Sequence, residues 1–257
     1  MSAGVVVTGG GGGIGAALAR RFSADGARVV VADLDGERAA EVAAEVGGTA
    51  FAGDVASETG VAALIDAARS ALGEIDVFCA NAGVAPFGDA HADEDAWALA
   101  WDVNVMAHVR AARLLLPAWL ERGKGHFVAT VSAAGVLTSL GSAPYSVTKH
   151  GALAFAEWLS ATYRHRGITV QAICPQGVRT AMLEETGERG KLLMGASAID
   201  PPQVADALFD AMADNRFLVL PHAEVADFYA LRATQTDRWL GGMNKLQRKL
   251  EELPDDA

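Results

Sequence analysis

Short apolar runs recur along this 257-residue chain, and each is followed by a longer stretch whose apolar residues fall at helical spacing. Val5–Thr8, Ala27–Ala32, Thr49–Ala52, Ile75–Ala80, His126–Ser132 and Ile168–Ile173 read as buried strands, with Phe217–Leu220 as a seventh. After the first run, Ile14, Leu18 and Phe22 line one face of a helix. The strands are continuously apolar rather than alternating, which predicts burial on both faces and hence a parallel sheet covered by helices on each side. Repeated strand–helix–strand units make this a doubly wound (Rossmann) α/β fold of about seven strands. No linker, repeat or composition shift divides the chain, so residues 1–257 read as one domain.

Capping residues refine the boundaries. Ser57 and Asp93 stand where helices begin, and Gly167 where the long helix carrying Tyr145 ends. Asp200-Pro201-Pro202-Gln203 combines an N-cap, a proline at the first helical position and a capping-box glutamine. Residues 222–257 form a C-terminal helical extension. In it Trp239, Met243, Leu246 and Leu250 give an amphipathic helix, weakened by Gly241-Gly242, whose apolar face packs on the monomer or on a second subunit.

Composition narrows the class of function. Hydrophobic residues are 51% and charged residues 21%, which suits a sizeable core and excludes disorder. The net charge of −11 is spread along the chain and provides no basic patch for nucleic acid or an anionic membrane. No apolar run reaches the ~18 residues of a membrane span, and the N-terminus has no basic region of a signal peptide. Cys79 and Cys174 lie in apolar segments and read as buried free thiols, so a reducing cytoplasm is expected. The six histidines show no metal-ligand spacing, and no metal site is expected.

Thr8-Gly9-Gly10-Gly11-Gly12-Gly13-Ile14-Gly15 follows the first strand and opens the first helix. A dinucleotide pyrophosphate needs backbone N–H groups at a helix N-terminus with no side chains in the way, and glycine supplies both the turn and the close approach. A glycine run alone also suits a flexible linker; here the flanking strand and helix provide the context the fingerprint requires. The second strand ends at Asp33, about 20 residues on, where a carboxylate accepts hydrogen bonds from the adenosine ribose. Its charge would repel a 2′-phosphate, and the next residues, Leu34 and Asp35, offer no compensating cation, so NAD is expected over NADP.

Tyr145 and Lys149 lie one turn apart on one helix face. A nearby ammonium favours a phenolate, which would bring a phenol of unperturbed pKa ~10 toward a working range for acid/base chemistry on an alcohol. Such a pair is also common on surface helices. Ser132 strengthens the reading, because it closes the fifth strand at the carboxyl edge where doubly wound sheets bind ligands. Asn81-Ala82-Gly83 and Asp54-Val55 follow the fourth and third strands at the same edge.

With these motifs in order over roughly residues 4 to 220, the chain resembles the classical short-chain dehydrogenase/reductase family. The glycine segment has that family's T-G-x-x-x-G-I-G spacing, carried by Gly9, Gly13, Ile14 and Gly15. The resemblance implies that Asp54, with Val55, lies near the adenine ring and that Asn81, Ala82 and Gly83 support the central strand. It also implies a tetrad of Asn104, Ser132, Tyr145 and Lys149. Tyr145 would exchange the proton, Ser132 would orient the substrate, and Lys149 would bind the nicotinamide ribose and lower the tyrosine pKa. Asn104 would hold a proton-relaying water, although an asparagine there also suits a satisfied helix position. After the sixth strand, Pro175, Val178 and Thr180 keep the register of residues that touch the nicotinamide. Gln176 stands where the family has glycine, which leaves that turn and the role of Gln176 open.

Residues 181–199 occupy the family's variable substrate loop. Met182, Leu183, Leu192, Leu193 and Met194 line an apolar pocket or pack under the loop, with Leu137, Thr138 and Leu140 as the other wall. The resulting expectation is an NAD-dependent oxidoreductase interconverting a small, uncharged, apolar secondary alcohol and its ketone. Family habit implies a homotetramer or homodimer built on helices near Asp95–Leu120 and Tyr145–Arg166. The rival readings are an NADP-linked ketoacyl reductase, a non-enzymatic dinucleotide-sensing regulator on the same fold, and a sugar-nucleotide epimerase or dehydratase.

Overall fold

A computed structural model describes residues 2–252; residues 253–257 of the expected C-terminal extension lie outside them. Seven parallel strands form one sheet in the order β3-β2-β1-β4-β5-β6-β7. They are β1 (Gly4–Thr8), β2 (Arg28–Asp33), β3 (Thr49–Ala52), β4 (Val77–Ala80), β5 (Gly125–Thr130), β6 (Ile168–Ile173) and β7 (Leu218–Val219).

The apolar runs are explained by the alternation of side chains across a strand. Val6, Phe78, Phe127, Ala129 and Val170 enter one core layer, while Val5, Val7, Cys79, Val128 and Ile173 enter the other. On the first face lie α3 (Glu58–Leu72), α5 (Ala107–Arg122) and α6 (Ala143–Tyr163), with Leu64, Leu115 and Leu159 fully buried. On the second lie α1 (Gly13–Ala24), α2 (Gly36–Glu45) and α9 (Pro201–Asp214), contributing Leu18, Val42 and Leu208. Each such leucine stabilises the fold by about 1.5–3 kcal/mol.

Side-chain caps hold three helix starts, Ser57 and Asp200 as expected and Asp35 in addition. Asp35 accepts from the N–H groups of Glu37 and Arg38, Ser57 from Gly60, and Gln203 accepts from the Asp200 N–H. Asp93 precedes α4 (Glu94–Trp101) without a side-chain cap bond.

Four expectations change. β3 is not a buried strand: three of its four residues are exposed, because it is the sheet edge with only β2 beside it. β5 stops at Thr130, so Ser132 lies just beyond the strand. The segment 181–199 is mostly helical, as α7 (Ala181–Glu184) and α8 (Gly187–Met194). The extension carries two helices, α10 (Glu224–Thr234) and α11 (Thr236–Glu251), the second running through Gly241-Gly242. Trp239 and Leu250 of α11 are buried against the monomer.

The strand order reverses direction between β1 and β4, and the carboxyl ends of these two strands frame the crevice where open α/β sheets take ligands.

Candidate active site

The glycine turn is built around close approaches. Gly9 and Gly13 have positive φ, at 61° and 50°. A Cβ on Gly15 would lie 2.0 Å from the Gly9 carbonyl oxygen, and one on Gly13 would lie 2.9 Å from Thr180 Cγ2. A Cβ on Gly12 would meet nothing within 4 Å. No side chain caps α1, and its first turn has no acidic residue. Ile14 is half-buried at the helix start and packs against the second core layer. This open, positive helix end fits the pyrophosphate of a dinucleotide.

Asp33 ends β2 beside this turn. Its Oδ2 accepts the Gly11 N–H at 2.9 Å and its Oδ1 accepts the Asp35 N–H at 3.1 Å. Asp35 rather than Asp33 caps α2. No cation follows Asp33 directly in sequence, but Arg38 of the next helix comes near the glycine turn. Arg38, on the first turn of α2, places its Cβ within 2.8 Å of where a Gly11 Cβ would stand, and its Nε pairs with Asp35 at 3.3 Å. Asp54 follows β3 with Oδ1 accepting the Ala56 N–H at 2.9 Å, next to the Gly53–Asp33 backbone bond, and Val55 is buried.

Asn81 ties three strands together. Its Nδ2 donates to Thr8 O at 3.0 Å and Gly9 O at 3.3 Å, while its Oδ1 accepts from Thr130 Oγ1 at 3.0 Å. Thr8 Oγ1 in turn accepts the Asn81 and Ala82 N–H groups. Gly83 admits two side chains: a Cβ there would lie 3.2 Å from Asn104 Oδ1 and 3.3 Å from Lys149 Nζ.

Ser132 occupies φ 91° and ψ 152°, its Oγ accepts the Ala134 N–H at 3.2 Å, and the side chain lies near enough to the Tyr145 phenol to favour its ionised form. Tyr145 and Lys149 lie on α6, with the Lys149 Nζ 5.5 Å from the centre of the Tyr145 ring. Nζ donates to the Thr130 carbonyl at 2.9 Å. Burial lowers the Lys149 ammonium to about 8. The expected lowering of Tyr145 by Lys149 is not found here. Burial pushes the phenol above its ordinary value, and what opposes it is the Ser132 side chain, while the ammonium is directed at the Thr130 carbonyl.

Asn104 lies in a π turn, Asp102–Met106, between α4 and α5, where Ala107 N–H reaches back five residues to Asp102 O. The Asn104 Oδ1 accepts the Val84 N–H at 3.0 Å, and its Nδ2 donates to Val84 O at 2.9 Å and to Thr148 Oγ1 at 3.0 Å. The side chain is therefore a strut between the chain after β4 and Thr148.

His108, one turn later, is a residue that spacing did not single out. It is fully buried, edge-on to Phe127 at 6.1 Å, and among the described residues neither ring nitrogen has a partner. Burial, with the Lys149 charge adding to it, lowers His108 to about 3, so the ring stays neutral.

The turn after β6 closes the crevice. Pro175 O accepts the Ala133 N–H at 2.8 Å, joining this turn to the Ser132 segment. Thr180 Oγ1 donates to Val178 O at 3.1 Å. The turn survives the Pro-Gln sequence because Gln176 is not among the residues with positive φ. The Cys174 thiol, buried beneath it, is pushed up to about 12 by that burial.

Comparison with known proteins matches this arrangement to a family. The profile described as short chain dehydrogenase fits residues 3–191. This chain belongs to the short-chain dehydrogenase family. Among curated relatives, the short-chain dehydrogenase is 38% identical to a 1-deoxy-11-beta-hydroxypentalenate dehydrogenase of Streptomyces exfoliatus, over 85% of this chain and 82% of the relative. It is 36% identical to a 2-(S)-hydroxypropyl-CoM dehydrogenase of Xanthobacter autotrophicus, covering 66% and 69% of the two chains. Among solved structures, a short-chain dehydrogenase/reductase from Burkholderia phymatum in complex with NAD superposes with a TM-score of 0.85 at 26% identity, covering 92% of this chain and 94% of that one. Membership makes this short-chain dehydrogenase an oxidoreductase acting on CH–OH groups.

Proposed function

We propose that this short-chain dehydrogenase interconverts a small, uncharged, moderately apolar secondary alcohol and its ketone, with NAD as the hydride carrier and Tyr145 as the acid/base. The observation that carries this reading is the grouping of Ser132, the Tyr145 phenol and Lys149, whose Nζ lies 5.5 Å from the Tyr145 ring centre, at the same sheet edge as the glycine turn. The relatives named as dehydrogenases of hydroxylated compounds support the alcohol/ketone chemistry, and the neighbour in complex with NAD supports the cofactor.

NAD, when bound, supplies the hydride acceptor at its nicotinamide ring. Gly9, Gly13, Ile14 and Gly15 would hold the pyrophosphate on backbone N–H groups, Asp33 the adenosine ribose, and Asp54 with Val55 the adenine side. Asn81, Ala82 and Gly83 would form the wall behind the cofactor, and Pro175, Val178 and Thr180 its nicotinamide side. Lys149 keeps donors beyond the one spent on Thr130, and these would bind the second ribose. In the oxidative direction the carbinol C–H bond would break with its electron pair leaving as hydride, and the O–H proton would pass to Tyr145 in its phenolate form, the form that Ser132 favours against burial. Ser132 holds the substrate oxygen beside that phenol. Asn104 keeps the Gly83–Val84 wall and Thr148 in place through its three bonds. Met182 and Leu192, exposed apolar residues of the segment 181–199, support an apolar substrate.

The test is an NAD-reduction screen across secondary alcohols, including hydroxysteroids, polyols, hydroxyacyl thioesters and terpene alcohols. Tyr145→Phe should lower turnover at least about a hundredfold, as loss of a general acid/base does, while leaving NADH binding nearly intact. Unchanged turnover would reject the mechanism, and an inactive wild type that still binds NADH would favour a regulator. An NADP-linked reductase is kept as a second reading because Arg38 stands against Gly11. Comparing kcat/KM for NAD and NADP decides between them; preference for NADP overturns the assignment resting on Asp33.

The same reading includes a homotetramer in the cytoplasm. Val147, Gly151 and Trp158 share one face of α6, and Trp101 of α4 crosses it 3.6 Å from a Gly151 Cβ position. Val147 and Trp158 are about half exposed on that face. Two buried, unpaired cysteines suit a reducing compartment. Among the described residues no helix is long and apolar enough to cross a membrane.

A further inference from the structure

Gln176 stands at a position where the family pattern has glycine, and its backbone has a partner far along the chain. Past β7, His222 is buried, at 4% exposure. The Gln176 N–H donates to His222 Nδ1 at 3.1 Å, and His222 Nε2 lies 3.1 Å from the Ser197 carbonyl oxygen. A backbone N–H only donates and a carbonyl only accepts. The two contacts therefore assign a neutral ring, with Nδ1 as acceptor and the proton on Nε2. One side chain thus joins three segments: the turn after β6, the end of the 181–199 segment, and the crossing that follows β7.

Backbone contacts draw the same segments together. Ile199 N–H donates to Gly177 O at 3.1 Å and Arg179 N–H to Ile199 O at 2.9 Å. A Cβ on Gly177 would lie 2.9 Å from Met194 Cβ. Glycine is thus needed at 177, where the helical segment presses on the turn, and not at 176, whose backbone is held by the histidine. Removing the ring nitrogens would leave the Gln176 N–H and the Ser197 carbonyl without these partners, and buried polar groups strongly favour being paired.

We propose that His222 is a positioning residue that locks the 181–199 segment to the turn carrying Val178 and Thr180, so that the substrate wall and the nicotinamide-side turn move as one body. The kinetic consequence rests on the alcohol-dehydrogenase reading above; the structural one does not. His222→Phe keeps a ring and removes both nitrogens, whereas His222→Gln retains an acceptor and a donor. Limited trypsin digestion after the exposed Arg189 reports on the segment without any substrate. The Phe variant should be cut at Arg189 at least tenfold faster than wild type, with the Gln variant within threefold. With an alcohol found in the NAD-reduction screen, the Phe variant should raise its KM at least fivefold while changing kcat less than twofold, and the Gln variant should restore KM. Equal nicking of Phe variant and wild type overturns the proposal. So does a lower melting temperature with reduced kcat and unchanged KM, which would mark a structural role alone. Should the Phe variant not fold, hydrogen exchange on the wild type decides: a Gln176 amide exchanging at the rate of an open loop overturns the tether, and strong protection supports it. A screen without any active alcohol would remove the functional reading and leave the nicking ratio to judge the lock.

Discussion

Ser132 sits at φ 91° and ψ 152°, a region that glycine occupies freely and other residues only at about 1–3 kcal/mol. The strain is held by the bonds of its N–H to Ile173 O and of Pro175 O to the next N–H, and the hydroxyl accepts the Ala134 N–H at 3.2 Å, a cap whose exchange for glycine costs only about a few tenths of a kcal/mol. Ser132→Gly should therefore melt within about 1 kcal/mol of wild type, or higher, since strain relief offsets the entropy of glycine. Turnover should nonetheless fall at least about a hundredfold through loss of the hydroxyl beside Tyr145; thermal melts and steady-state rates read the two effects separately. Lys149 carries the opposite conflict. Its folded pKa of about 8 lies below the ordinary 10.5, so between these values the unfolded chain binds more protons and stability rises with pH. Lys149→Met should be the more stable protein at pH 7, by a few kcal/mol at most. That advantage should shrink as pH rises from about 8 toward 10.5, and a gap constant with pH would mean that the ammonium is not paying for burial. None of this was visible in the spacing of Tyr145 and Lys149. Four residues on a helix fix a shared face, but the Thr130 carbonyl that takes the ammonium comes from another strand.

Among elements, the glycine turn separates two kinds of requirement that a sequence reads alike. Gly15→Ala would push a methyl against the Gly9 backbone and should cost more than about 2 kcal/mol or prevent folding. Gly12→Ala points into open space, so its melting temperature should stay close to that of wild type, within the ~1 kcal/mol of a poorer N-cap. Its NADH affinity should drop, because the methyl enters the ligand's side of the turn. Fluorescence titration with NADH and melts on both variants test the distinction. The strand and helix periods of this region were legible because local alternation dictates them. The π turn at Asp102–Met106 was not, since one extra residue in a helical turn is set by what Asn104 reaches at Val84, in the loop after β4, and on Thr148. The edge position of β3 was equally hidden: Thr-Ala-Phe-Ala has a strand's composition whether one or two neighbours flank it.

For the whole molecule, burial on both faces of the sheet leaves the outer faces of α4 and α6 carrying Leu99, Val147 and Trp158 in solvent. Apolar surface of this kind favours association. Light scattering should give a multiple of the 26.6 kDa chain mass, and Trp158→Glu should shift it to a smaller species; a wild-type monomer would remove the tetramer from the reading. At this scale the sequence by itself determined the doubly wound sheet, the glycine turn between β1 and α1 and the placing of Ser132 at the strand-end edge and of Tyr145 and Lys149 on one helix face, because each follows from period, turn chemistry or order at strand ends. Tertiary structure alone decided that Arg38 stands beside Gly11, that His108 is buried without a partner, that the Asn104 side chain is consumed as a strut, and that His222 reaches Gln176. These pairings lie between segments that local periodicity cannot bring into contact, and they are fixed only when the layers pack and every buried polar group must find what is within reach.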